Sequence, residues 1–350
     1  MRRSTSLALI VGGTLAAGAG AAAAWSRSER GLPGIPKPVT GVFPNGMAYI
    51  RWGSGPKTLL WIVGGPGLGF PVGLRVALIP LVLRPFARAG YTCWLVNRKR
   101  DMPDGYTIAE MADDHAALIA DELGGKVDLV LGEDYGGVIG FYLAARYPER
   151  LDYLANASAG YAMADRGRAI DRDFATLVAE GRSTDAWAQM LATMAHDLRP
   201  PALVRVLASV MDRLFTDRSR PDFVSNLVVE TGAEAFDARE ILPDIQVPVL
   251  LIGGDQGPFF SREILEETSR LIPDCTLQIH EGRGDAGAVS STQLPRVVLA
   301  WVNERGRSRT RGGRARRRDS GPRRSTAPCA SGTSSSSATS AASPAICGPR

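Results

Sequence analysis

The segment that most constrains the fold runs from Val127 to Arg146. A largely apolar stretch, Val127 to Leu131, leads into Gly132-Glu133-Asp134-Tyr135-Gly136-Gly137, and apolar residues at helical spacing then continue through Arg146. A tight strand-to-helix turn needs small residues around its central side chain, and the glycines at 132, 136 and 137 meet that need. Asp134 is then held on strained backbone at the amino end of a helix. The helix dipole there favours negative charge, either a carboxylate or a developing oxyanion. This is the setting of a nucleophile elbow, although a glycine-rich turn without chemistry has the same spacing.

Strand and helix patterns alternate on both sides of this turn, which predicts an α/β fold with a largely parallel sheet and helices on both faces. Strands are expected near 48–52, 58–63, 92–97, 127–132, 151–157, 247–253 and 275–281, and helices near 73–89, 108–123, 136–147, 262–271 and 292–303. In place of a short crossover, a long stretch without strand character separates the strand at 151–157 from that at 247–253. Apolar residues at helical spacing over 169–178, 185–198, 203–215 and 222–229 predict a helical lid, spanning 161–240, above the carboxyl edge of the sheet. Open α/β sheets bind ligands at that edge. The core is accordingly read as 42–160 and 241–304, preceded by a linker at 26–41.

Composition restricts the function classes. With 45% hydrophobic and 22% charged residues in 350, and a mean hydropathy of −0.04, the body of the chain is neither a polytopic membrane protein nor intrinsically disordered. The net charge of +5 is concentrated at one end: residues 305–350 hold eleven Arg and one acid, Asp319, so the rest of the chain carries −5. This excludes a basic nucleic-acid face on the folded part. The Arg/Gly-rich and then Ser/Ala-rich segment 305–350 is expected to be disordered, either a genuine basic tail or a shifted reading frame.

At the other end, Arg2 and Arg3 precede an uncharged Ala/Gly-rich run to Trp25, with Ala21-Ala22-Ala23 as a small-residue cleavage site. This reads as an export signal. At roughly 20 residues it is also long enough for an uncleaved anchor, and an Ala-rich disordered start in a cytoplasmic protein is the plainer alternative. Cys93, Cys275, Cys329 and Cys347 have no CxxC spacing, and no metal or cofactor motif occurs.

A second glycine loop, Val63-Gly64-Gly65-Pro66-Gly67, follows the strand at 58–63. Its position suits backbone N–H groups aimed at the elbow, so Gly65 and Tyr135 are candidate donors to the oxyanion of a tetrahedral adduct. Taken alone, such a loop also reads as an ordinary turn.

The elbow, the Gly-Gly-Pro-Gly loop, the long helical insertion and the segments after it together resemble the α/β-hydrolase superfamily, over about 42–303. Gly64-Gly65-Pro66-Gly67 is similar to the His-Gly-Gly-Pro-Gly loop of proline-iminopeptidase-like hydrolases, with Val63 in place of the His. The resemblance implies a triad acid after the penultimate strand, matched by Asp255 in Gly253-Gly254-Asp255-Gln256, and a catalytic His after the last strand. The segment there reads Gly282-Arg283-Gly284-Asp285, placing Asp285 where His is expected.

An aspartate at the elbow resembles haloalkane dehalogenases and epoxide hydrolases, whose carboxylate attacks carbon and forms an ester. Those families follow it with Trp, whereas Tyr135 stands here. The resemblance implies a hydrolase acting on a small apolar ester, amide, halide or epoxide, with Asp134 as nucleophile and Asp255 as orienting acid, and without the His that hydrolyses the intermediate. The alternative is a noncatalytic protein that binds a small hydrophobic ligand under the lid. Of the three histidines, His115 is expected on a solvated helix face, His280 in the wall of the last strand, and His196 on the lid. If Asp134, Asp255 and Asp285 converge, their like charges should raise at least one pKa.

Overall fold

The computed structural model describes residues 31–32, 35–65, 76, 79–194, 201–216, 222–285 and 293–319. Its sheet is built from β1 (Val39–Val42), β2 (Ala48–Trp52), β3 (Lys57–Ile62), β4 (Tyr91–Val96), β5 (Leu129–Glu133), β6 (Leu154–Ala157), β7 (Val249–Gly254) and β8 (Cys275–His280). These eight strands lie in the order β8-β7-β6-β5-β3-β4-β2-β1. All neighbours from β4 to β8 pair in parallel, while β1 with β2 and β2 with β4 are antiparallel.

Strand β1 falls mostly in the segment expected to be linker. Its residues are largely exposed, so it carries little of the apolar alternation by which a strand is recognised. A further two-residue pairing, Gly31–Leu32 with Ile35–Pro36, precedes it.

Alternate side chains divide the central strands between two cores, as the two-residue period requires. Leu60, Ile62, Val130 and Leu251 face a layer formed by α2 (Ile108–Glu122), α3 (Tyr135–Arg146) and α8 (Arg262–Leu271). Leu59, Trp61, Leu131 and Ile252 face the opposite layer, where α1 (Ile79–Arg88) supplies Leu83 and Phe86, and Val298 and Trp301 come from α9 (Leu294–Asp319). Helix α2 starts at a capping box in which Thr107 and Glu110 satisfy each other's backbone N–H.

The expected insertion contains α4 (Asp165–Ala179), α5 (Ser183–Met194), α6 (Pro201–Phe215) and α7 (Phe223–Gly232). These helices enclose a core of their own, with Phe174 and Trp187 packed edge to face at 5.0 Å and the Trp187 indole donating to Thr216 at 3.0 Å.

Two expectations change. Helix α9 is assigned as far as Asp319, into the segment expected to be disordered. His115 is wholly buried, with Nδ1 bonded to Met111 O at 2.7 Å, and burial pushes its pKa down to about 4. The turn of α2 that carries it packs inward beneath the sheet, so the adjacent Asp113 and Asp114 misled the sequence reading. His196, residues 1–30 and residues 320–350 lie outside the described residues. Among the described residues no helix is long and apolar enough to cross a membrane.

The glycines around the elbow make the fold sensitive to single methyl groups. A Cβ on Gly136 would stand 2.4 Å from the carbonyl oxygen of Ile62, whereas one on Gly232 would meet nothing. Gly136→Ala is therefore expected to cost roughly 2 kcal/mol or more of stability, and Gly232→Ala to be neutral or mildly stabilising. Urea unfolding of both variants checks the contrast, and equal midpoints would contradict the close approach of α3 to β3.

Candidate active site

Asp134 occupies the turn between β5 and α3 at φ 49° and ψ −118°, one of three positions among the described residues where a non-glycine residue has positive φ. Neighbouring backbone holds it there: its N–H donates to Ala157 O at 2.8 Å, and its carbonyl accepts from Gly137 N at 2.9 Å. Strain of this kind persists only where the surroundings over-determine it. The glycines allow the close packing, since a Cβ on Gly132 would lie 2.5 Å from Gly137 Cα and one on Gly64 would lie 2.8 Å from Glu133 O.

The loop after β3 faces this turn. Gly65, at φ 54°, directs its N–H at the Asp134 carboxyl, while Asp134 Oδ1 is buried without a hydrogen-bond partner. Tyr135 begins α3, so its N–H has no acceptor within the helix. Its ring is fully buried, and its hydroxyl donates to Glu230 O at 3.1 Å. The structure thus brings Asp134, Gly65 and Tyr135 together.

Asp285 is also close to Asp134 and almost fully buried. Its Oδ2 accepts from Phe259 N at 3.1 Å, its Oδ1 has no partner, and its backbone carbonyl accepts from Ser158 Oγ at 2.9 Å. Burial pushes its carboxyl up to about 6. Asp134 is raised well above the usual carboxylate range, first by burial and then by the charges of Asp171, Asp285 and Glu133, against which the Gly65 N–H acts.

Asp255 is placed elsewhere. Its Oδ1 accepts from Gly282 N at 2.6 Å, and its Oδ2 lies 3.6 Å from Arg262. Burial tends to raise its carboxyl, but hydrogen bonds involving Glu281, Gly282 and Gln256 hold it below the ordinary value. Beyond β7, Gly257 lies against Asp285 beside the Phe259 N–H: a Cβ on Gly257 would stand 2.1 Å from Asp285 Oδ2. Asp255 is thus engaged with Gly282 and Arg262, and none of the described contacts joins it to Asp134 or Asp285.

Sequence reasoning also missed two acids from the insertion. Asp171 of α4 and Glu234, in the turn after α7, are both buried; burial raises both carboxyls, and the charge of Asp171 raises Glu234 further. Neither lies in a recognisable motif, and only the packing of the insertion brings them near Asp134. His280, partly buried at the end of β8, has its pKa lowered, first by burial and then by Arg283. Among the described residues no group of His, Cys, Asp or Glu is arranged to hold a metal ion.

An eight-stranded sheet in this order, with a strained acid at the turn into α3 and a glycine loop against it, defines a hydrolase-type α/β scaffold. The family model of the alpha/beta hydrolase fold matches residues 69–287, and the chain belongs to that family.

Two curated relatives are similar to parts of it. The protein named "Putative carbamate hydrolase RutD" from Caulobacter sp. (strain K31) is 28% identical over 199 residues, covering 55% of this chain and 71% of the relative. A cis-3-alkyl-4-alkyloxetan-2-one decarboxylase from Shewanella oneidensis is 31% identical over 117 residues, 33% of this chain and 36% of the relative. Among solved structures, the enol-lactonase from Burkholderia xenovorans LB400 is 17% identical with a TM-score of 0.57, over 73% of this chain and 96% of that one. The proline iminopeptidase of Mycobacterium smegmatis is 18% identical with a TM-score of 0.53, over 76% and 98%. At these identities the structural likeness concerns the fold alone.

The buried Asp285 gives the folded protein a defined pH dependence. Its folded pKa of about 6 lies above its ordinary 3.8, so its contribution to stability is complete below the lower value and is lost as pH rises through the higher one. Asp285→Asn is expected to gain on the wild type between these values, by on the order of 2 kcal/mol at neutral pH. Urea unfolding at a series of pH values measures this, and parallel curves for the two proteins would show that Asp285 ionises without penalty.

Proposed function

We propose that the chain is a hydrolase of the α/β-hydrolase fold in which Asp134 is the nucleophile. The substrate is a small apolar ester, amide, halide or epoxide bound beneath the helical insertion, which serves as its lid. The observation that carries this reading is the strained Asp134 turn with the Gly65 N–H directed at its carboxyl. Attack at a saturated carbon forms an alkyl ester as the carbon–halogen or epoxide carbon–oxygen bond breaks, with the electron pair leaving on halide or oxygen. Attack at a carbonyl develops an oxyanion within reach of the Gly65 and Tyr135 N–H groups.

Release is the weak step. Asp285 stands where an imidazole is expected, and although its carboxyl is raised to about 6, its Oδ2 is already engaged by the Phe259 N–H and not free to activate water. The same observation favours a second reading, a noncatalytic protein that holds a small hydrophobic ligand beneath the insertion. The Ala-rich amino-terminal run supports export or anchoring at the cell envelope in either case.

The two readings separate by mass. Incubation of the full chain with a panel of alkyl halides, epoxides and activated esters is expected to yield a covalent adduct on Asp134, absent in Asp134→Ala. Because the Asp134 carboxyl is raised, adduct formation should accelerate as pH rises above the ordinary carboxylate range and the nucleophile ionises. No adduct and no turnover at any pH would transfer the weight to the ligand-binding reading.

A further inference from the structure

The loop that carries Gly65 is held from behind by one side chain. Arg98, just beyond β4, is almost fully buried. Its Nη1 donates to Val63 O at 2.8 Å and to Gly64 O at 3.3 Å, and its Nη2 donates to Gly65 O at 2.7 Å. Three consecutive carbonyls therefore converge on one guanidinium. A trans peptide is planar, with its C=O and N–H pointing in opposite directions. Holding Gly64 O toward Arg98 thus turns the N–H of Gly65 to the other side of the loop, where the Asp134 carboxyl stands. The positive φ of Gly65 lets the next carbonyl return to the same guanidinium.

Arg98 is itself held by the helical insertion. Its Nε donates to Glu230 Oε1 of α7 at 3.0 Å, and the backbone carbonyl of Glu230 accepts the Tyr135 hydroxyl. The guanidinium carbon lies 5.4 Å from the Tyr135 ring centroid. A guanidinium serving only to neutralise a buried carboxylate would present its two-pronged face to it. Here a single N–H serves Glu230, and the fork is spent on the loop.

We infer that Arg98 is a positioning residue: clamped by Glu230 of the insertion, it fixes the Gly64–Gly65 peptide so that the Gly65 N–H faces residue 134, tying α7 to the candidate oxyanion site. The inference rests on the proposed role of Gly65 as an oxyanion donor, but the clamp itself is a property of the loop. Movement of α7 away from the sheet would withdraw Glu230 and leave Arg98 free to release the carbonyls. The oxyanion donor would then be fully set only with the insertion seated.

Amide hydrogen exchange tests the clamp without requiring any activity. In Arg98→Met, and in Arg98→Met/Glu230→Gln, which avoids stranding a buried charge, exchange at Gly64 and Gly65 is expected to rise roughly tenfold or more relative to amides of β5. Glu230→Gln alone should loosen the same amides together with those of α7. Arg98→Lys, which supplies a point charge without the fork, should not restore protection. Where adduct formation at Asp134 is measurable, the maximal rate should fall by about tenfold or more with little change in the half-saturating concentration. Unchanged exchange at Gly65 in the folded variants, or full protection in Arg98→Lys, would overturn the inference whether or not an adduct forms. Absence of an adduct in the wild type, with exchange rising as described, would count against the proposed chemistry alone.

Discussion

The organisation of this protein depends on backbone meeting backbone at the carboxyl edge of the sheet. Strand β3, the turn after β5 and the start of α3 approach so closely that a methyl group on Gly64, Gly132 or Gly136 would stand within 2.8 Å of a neighbouring main-chain atom. No side chain larger than hydrogen fits between them. Asp134 projects from this contact, held at a positive φ that an aspartate tolerates and rarely adopts unless constrained. The glycine loop lies against it for the same reason, and the two layers of helices follow from the alternation of apolar residues on strands already in place.

Electrostatics give the site its particular character. Buried carboxyls come together from the elbow, the loop after β8 and the insertion, so each raises the cost of ionising the others. The buried guanidinium of Arg98 lies nearby, but its hydrogen bonds are directed at Glu230 and three loop carbonyls. A site of this composition raises the pKa of its acids above the ordinary carboxylate range, unlike one in which an imidazolium and a carboxylate compensate each other. Gly257 and Asp285 express the difference most plainly, since an acid sits where a base is expected and no side chain stands opposite it.

Much of this was legible because it is local. Strands β3 to β8 and helices α2 to α8 announce themselves through apolar periods of two or of 3.6, and the elbow through small residues at fixed offsets. Exposed β1 gave no such signal, nor did the part of α9 beyond Asn303. His115 looked solvated because its sequence neighbours are acids, although its own side chain turns inward. Asp255 was matched to the triad acid that the family resemblance places after the penultimate strand, yet the direction of a side chain leaving a strand depends on the turn that follows.

The sequence by itself determined the α/β class, the insertion, and the presence of an acid at the tight turn after β5, because each is written in residues adjacent along the chain. Only the tertiary structure decided which acids share the site with Asp134, and that Arg98 braces the loop opposite it. Those groups come from segments far apart in sequence, and burial fixes both their charge and their partners. A pKa or a hydrogen bond across such separations belongs to the packed arrangement, which no local pattern encodes.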